Sequence, residues 1–365
     1  MYTKIKNASL ENLQSKIDVI TTSVKKLITE RNSIKEEYSR NLSKLNEEFR
    51  YYILFPSMYD NVNIVDEAFE SEFKIATLLG FKTILFDYDK FIKTGSVKTN
   101  DVYFNESSKV IYRGWMLNGN NPFGVLRPNY SKLAKEFSYR LINNTHDYEY
   151  CHYSGINDTL KFLLLRSDII YPKSIHYGCM DYNNDFVDLV CNSFEYAHTK
   201  EKRDIFDSSR TKSYIIKDGV KSEKGTDCFM LSPGDDFRNK IQNFVNLRST
   251  LFNGYIQLKE VLPIFRNSDN NTHEIRAFVL NNQIVDVSCN SGIDFEIPET
   301  VFTVIQQIID LKIDSKFYTI DLFMLENEKW ALNEIGDGQV SGLASQASIL
   351  AFYTKLQNIL NDTIC

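Results

Sequence analysis

The chain has 365 residues, with 42 Lys and Arg against 48 Asp and Glu and a formal net charge of −6. Hydrophobic residues make up 43% and charged residues 25%, so a sizeable core is within reach, and the length suits two or three domains. An acidic chain without a long basic run lacks the counterion-displacing face of a general nucleic-acid binder, so nucleic acid is not expected as a partner.

No apolar run approaches the ~20 residues of a membrane span, and the charged N-terminus does not resemble a signal peptide. The six cysteines form no CxxC pair and have no His at zinc-ligand spacing. A reduced, cytoplasmic protein without a membrane partner is the expectation.

Residues 1–50 contain no Gly or Pro. Leu10, Leu13, Ile17, Ile20, Val24 and Leu27 recur three and four residues apart, a narrow stripe that resumes at Ile34, Tyr38, Leu45 and Phe49. A long N-terminal helix is predicted, either paired with another copy as a coiled coil or lying along its own chain. Homo-oligomerisation through 1–50 follows from the first reading.

From residue 51 the pattern is mixed α and β. YYILFP (51–56) reads as a strand, VDEAFESEFKIATLLG (65–80) as a helix ended by Gly80, and KTILFDY (82–88) as a second strand. This β–α–β start runs to KVIYRGWML (109–117), with helices expected around 129–142 and 157–165. Residues 51–205 are taken as a region of one or two αβ units and 206–365 as a further domain. In the latter, strands are expected at 212–222, 254–264, 274–288, 317–325 and 329–336, and helices around 236–248, 299–311 and 343–360.

The chemistry concentrates in this last region. Asp321 interrupts an apolar strand, TIDLF, and Glu334 lies near the end of the next, WALNEI, joined to it by a short LENEK connection. A buried strand Asp is costly unless paired or metal-bound, and two carboxylates on neighbouring strands can converge on one ion. Singly, each acid reads as an ion-pair partner; together they favour a metal site. Arg276, flanked by apolar residues in HEIRAFV, suits either bidentate contact with a phosphate or an ordinary ion pair. Lys217 and Lys221 in KDGVK face one side of an extended chain about 13 Å apart, as two phosphate contacts or as a solvated edge.

In this order the motifs resemble the ATP-grasp superfamily. YRGWML (112–117), IIKDGVKS (215–222) and LNEIGDGQVSGL (332–343) are similar to its prokaryotic and phage clade marked by an invariant arginine and two lysines, a resemblance over roughly residues 51–360. It implies an α+β fold in which two subdomains grip ATP, preceded by an αβ pre-ATP-grasp domain. It further implies Lys217 on the α- and β-phosphates with Lys221 near them or near the acyl group, and the backbone of Gln257 and Leu258 on adenine with Glu260 on the ribose. Arg276 would meet the γ-phosphate, Arg113 the carboxylate substrate, and Asp321 and Glu334 Mg²⁺. The family's Glu-x-Asn ending is replaced here by Glu334 and Gly336, which leaves Asp337 or Asn333 to complete the metal site. Gly225 and Gly234 stand where other members have a longer glycine-rich loop.

The implied activity is ATP-dependent ligation of a carboxylate to an amine (an amino acid, peptide or protein) through an acyl-phosphate. A non-ligating Mg-ATP-binding assembly module and a phosphotransferase on the same fold are the alternatives.

Overall fold

In the computed structural model, residues 16–35, 51–100, 108–117, 129–178, 213–218, 229–232, 235–248, 255–344 and 347–362 are described. The chain divides into two compact units. Met1–Tyr51 with Asp101–Ser108 form one; Tyr52–Asn100 with Lys109–Cys365 form the other. In the first, residues 16–35 are a helix, α1, and every described residue of it is exposed, including Ile17, Ile20, Val24, Leu27 and Ile34.

The second unit begins with a small sheet. Strand β1 (Tyr51–Met58) is buried along almost its whole length. It pairs with β2 (Asn61–Val65) antiparallel and, after helix α2 (Glu70–Leu78), with β3 (Lys82–Phe86) in parallel. Parallel pairing needs such a crossover, and near-continuous hydrophobicity is what a strand covered on both faces requires. Gly80, at φ +87°, supplies the left-handed residue that stops α2. Helix α3 (Tyr88–Thr94) and strand β4 (Lys109–Tyr112), which also pairs with β1, complete the layer.

Next come three short helices: α4 (Tyr130–Glu136), α5 (Thr145–His152) and α6 (Asp158–Leu165). The helix expected over 129–142 stops at Glu136 because Ser138 and Tyr139 take positive φ, after which Leu141 bridges to Val110. Helix α5 was not anticipated. Its buried face is Tyr148, Tyr150, Cys151 and His152 rather than an aliphatic stripe, although Asn144 and Asp147 form a capping box at its start.

The site rests on two further sheets. One has the order β5 (Ser174–Gly178), β8 (Tyr255–Glu260), β6 (Tyr214–Asp218), β7 (Met230–Leu231), all antiparallel. Helix α7 (Phe237–Arg248) covers one of its faces, burying Ile241, Phe244 and Val245 against Ile216, Ile256 and Leu258. Because β5 pairs with β8, the segment 174–178 shares a sheet with strands of the domain expected over 206–365.

The other sheet has the order β10 (Gln283–Cys289), β9 (Glu274–Leu280), β11 (Phe317–Met324), β12 (Trp330–Asp337). Asn281 and Asn282 both take positive φ in the two-residue turn between β9 and β10, the geometry of the tight hairpin turn that asparagine tolerates. Ile275, Ala277 and Val279 from β9 and Tyr318, Ile320 and Leu322 from β11 pack against helix α8 (Glu299–Asp310). Helix α9 (Ile349–Asp362) closes the chain, its Phe352 meeting Phe278 edge-on. No described helix is long and apolar enough to cross a membrane.

Candidate active site

Register decides what the first sheet presents. Lys217 lies opposite Gln257 and Gln257 opposite His176, so these side chains share one face, and Lys259 and Ser174, paired two residues along, share it too. The alternate residues Ile216, Ile256 and Leu258 turn to the α7 core. One face of this sheet is therefore a hydrophobic layer. The other carries two lysines and polar groups, and lines a cavity with Ser154, Gly155, Lys161, Asn333 and Glu334.

The second sheet reaches this cavity through an irregularity in β12. Asp321 pairs with Glu334 while the next residue, Leu322, pairs with Leu332, so Asn333 is an extra residue in the ladder. Leu332 and Ile335 are three apart, yet both enter the same core, which a regular strand forbids and a bulge permits. Asn333 and Glu334 are left to meet the lysines. Lys217 Nζ donates to Glu334 Oε2 at 2.9 Å, and Lys259 Nζ donates to Asn333 O at 2.8 Å and Oδ1 at 2.6 Å.

Alongside, Arg276 of β9 is the register partner of Asp321 and grips it bidentately, with Nε to Oδ1 and Nη2 to Oδ2 both at 2.7 Å. Its Nη1 donates to Gly342 O at 2.9 Å. Lys217 with Glu334 and Arg276 with Asp321 thus form two ion pairs, while Lys259 is bonded only to the neutral Asn333. Burial alone would raise the Glu334 carboxyl, but Lys217, Lys259 and Arg276 outweigh it and hold the group below the usual range. Lys259 is the strained member. Burial first, and Lys217 second, push its ammonium down to about 7, against only partial relief from Glu334 and Asp321.

The expected site residues divide by position. Lys217, Arg276, Asp321 and Glu334 come together. Lys221, Gly225 and Gly234 lie outside the described residues.

Gln257 and Leu258 do not present backbone to an adenine. Strand β8 is flanked on both sides, by β5 and β6, so its main-chain groups face neighbouring strands. The Gln257 side chain points into the cavity instead and donates from Nε2 to Gly155 O at 2.8 Å. Glu260, one residue past Lys259, is turned to the opposite face opposite Tyr214, and its Oε2 accepts from Lys173 N at 3.3 Å.

Asp337 does not share the face of β12 that Glu334 presents. Two residues beyond Ile335, it lies on the core side of β12 and is 2% exposed. There it accepts from Asn143 Nδ2 and from Gln339 N, and burial lifts its carboxyl to about 7. Asn333, its alternative, is the residue beside Glu334.

Arg113, expected to meet a carboxylate substrate, is 1% exposed. Nε and Nη2 grip Glu72 at 3.0 Å each, and Nη1 donates to Gly338 O at 2.6 Å and Ser341 O at 2.8 Å. Its donors are spent on the protein itself.

Sequence reasoning missed Lys259 and Lys161. Lys259 is masked by its place in an apolar strand, although its two-residue spacing from Gln257 puts both on one face. Lys161, on α6, donates to His176 Nδ1 at 2.8 Å, and nothing in its local pattern distinguishes it from a solvent-facing helix lysine.

Among the described residues no group of three or more His, Cys, Asp or Glu is arranged to hold a metal ion. The donors present do fit Mg²⁺, a hard cation that takes one or two carboxylates and completes its shell with water and substrate phosphates. Asp321 and Glu334 are register partners on neighbouring strands, with the Asn333 amide one residue away.

Residues 200–356 match the model of an ATP-grasp domain family, the third family of the clade named for one arginine and two lysines. That stretch holds IIKDGVKS and LNEIGDGQVSGL, whereas YRGWML lies before it. Comparison with curated proteins found no match. Among solved structures the chain is similar to the macrocyclase MdnC bound with precursor peptide MdnA from Microcystis aeruginosa MRC. The identity is 14%, over 84% of this chain and 99% of that one, with a TM-score of 0.44. It is also similar to the D-alanine-D-alanine ligase from Coxiella burnetii, at 11% identity over 87% of this chain and 99% of that one, with a TM-score of 0.47.

Proposed function

We propose that this chain, whose residues 200–356 match an ATP-grasp domain, is an ATP-dependent ligase that joins a carboxylate to an amine. The observation that carries the reading is the meeting, where two sheets join, of Lys217 with Glu334, Lys259 with Asn333 and Arg276 with Asp321. A site of this composition suits a polyphosphate accompanied by a divalent cation. Phosphate oxygens would replace the carboxylates as partners of Lys217 and Arg276. Asp321 and Glu334, so released, would hold Mg²⁺, which neutralises phosphate charge when bound.

In the proposed reaction a substrate carboxylate oxygen attacks the γ-phosphorus and the bond to the ADP oxygen breaks, giving an acyl-phosphate and ADP. An amine then attacks the acyl carbon, inorganic phosphate leaves, and the amine loses a proton. The chain's own contribution is positioning and fixed charge. Lys217 holds phosphate oxygens, Arg276 faces the oxygens around which charge shifts, and Lys259 keeps Asn333 in place. No side chain need become a covalent nucleophile. Amino acids, peptides and protein termini are the acceptor classes.

Hydroxylamine tests the reaction class, because it intercepts acyl-phosphates as hydroxamates. Purified protein, Mg-ATP, a carboxylate panel that includes peptides, and hydroxylamine should yield hydroxamate and ADP in equal amounts. A stable phosphorylated product without hydroxamate would identify a phosphotransferase instead.

A further inference from the structure

Arg276 is held in two ways of different kinds. One is its bidentate grip on Asp321; the other is the single bond from Nη1 to Gly342 O. If Asp321 serves the metal, as proposed above, the first hold loosens whenever the site is loaded. The carbonyl of Gly342 then keeps the guanidinium aimed. What fixes that carbonyl becomes a functional question.

The segment 338–342 leaves the end of β12 and is seized from beneath by a second guanidinium. Arg113 Nη1 donates to both Gly338 O and Ser341 O, and Gly114 N donates to Gln339 O at 3.3 Å. Arg113 is itself immobilised. Glu72 of α2 takes its other edge bidentately and accepts a further bond from Tyr353 Oη of α9 at 2.7 Å. Phe278 and Phe352 each lie 5.7 Å from its guanidinium carbon. The turn and the strand end that leads into it are tightly packed, since an added Cβ at Gly338 would come within 2.9 Å of the Phe317 ring and one at Gly336 within 2.7 Å of Thr319 Oγ1.

We infer that Arg113 is a positioning residue for Arg276: it anchors the 338–342 turn whose last carbonyl aims Arg276 at the terminal phosphate. The inference rests on the ATP reading. It also explains why an arginine is needed there, since two carbonyls and one carboxylate must be bound at once and a lysine ammonium cannot span all three.

The test separates aiming from general stability by using two nucleotides. Dissociation constants of Mg·AMPPNP and Mg·ADP are measured by calorimetry for the wild type, Arg113→Lys, Arg276→Met and the double variant, with thermal midpoints alongside. A residue that aims Arg276 affects only the ligand with a third phosphate. Arg113→Lys should weaken AMPPNP about tenfold and ADP less than about twofold. Arg276→Met should erase the preference for AMPPNP, and the double variant should bind like Arg276→Met alone, the non-additivity expected of residues in one network.

Equal losses for both nucleotides in Arg113→Lys, or additive losses in the double variant, would overturn the inference. If Arg113→Lys does not fold, Tyr353→Phe removes one bond from the same network and should lower the AMPPNP preference in the same direction. No change in that preference would count against the inference. Absence of nucleotide binding by the wild type would instead fail the ATP reading, and the inference with it.

Discussion

Lys259→Met is the perturbation whose effect the structure constrains most sharply. The side chain is buried, its ammonium beside Lys217 and bonded to the two oxygens of Asn333. Its folded pKa of about 7 lies below the ordinary 10.5. Between those values the unfolded chain carries a proton that the folded chain lacks, so wild-type stability rises with pH across the window. Below pH 7 both states are protonated and the penalty for burying the charge is fully present. At 1.36 kcal/mol per pH unit the penalty is about 5 kcal/mol as an upper figure.

Methionine removes this penalty at a cost of about 1–3 kcal/mol for leaving the Asn333 oxygens without their donor. The variant should therefore be the more stable protein at pH 6, by about 2 kcal/mol. By pH 9.5 most of the penalty has gone from the wild type, and the order should reverse. Urea unfolding of both proteins at pH 6, 7, 8 and 9.5 gives the difference, because titrating groups remote from Lys259 contribute equally to each. A difference that stays constant across these four pH values would refute the reasoning.

The same group should report ligand binding. A polyphosphate beside Lys259 restores its charge, so at pH 8 Mg·AMPPNP binding should take up as much as about one proton, read from calorimetry in buffers of different ionisation enthalpy and lost in Lys259→Met. Asp321→Asn and Glu334→Gln should each lower Mg-dependent ATP turnover by about 100-fold or more while the fold persists by circular dichroism, and full activity in both would remove the metal assignment. Deleting residues 1–50 should lower the number of subunits per particle, read by light scattering, if the apolar stripe pairs with a second copy; an unchanged subunit number would contradict that pairing.

Much of the site was legible because its residues break local rules. Asp321 inside TIDLF and Arg276 inside EIRAFV are charges in strands that otherwise face a core, and their juxtaposition in register is what makes each tolerable. Lys217 was marked by its motif, whereas the strand expected over 274–288 is divided by the turn at Asn281–Asn282.

What escaped was whatever depends on strand order. That β8 is a central strand, with Gln257 and Leu258 enclosed by ladders on both sides, follows from the pairing of β5, and SIHYG carries no strong strand signal. The face on which Asp337 falls depends on the bulge at Asn333, which inverts the alternation after Glu334 and appears only when Leu322 is seen to pair with Leu332. Arg113 was marked as important by its motif, but its burial beneath the 338–342 turn depends on contacts more than 200 residues away in sequence.

The central claim is that this site turns over Mg-ATP at the γ-phosphate. Its most direct measurement is the nucleotide product formed when the purified protein is incubated with Mg-ATP and a filtered cell extract, resolved by chromatography beside Glu334→Gln. The account predicts ADP and inorganic phosphate, both absent from the variant; AMP, or ADP formed equally by the variant, would contradict it.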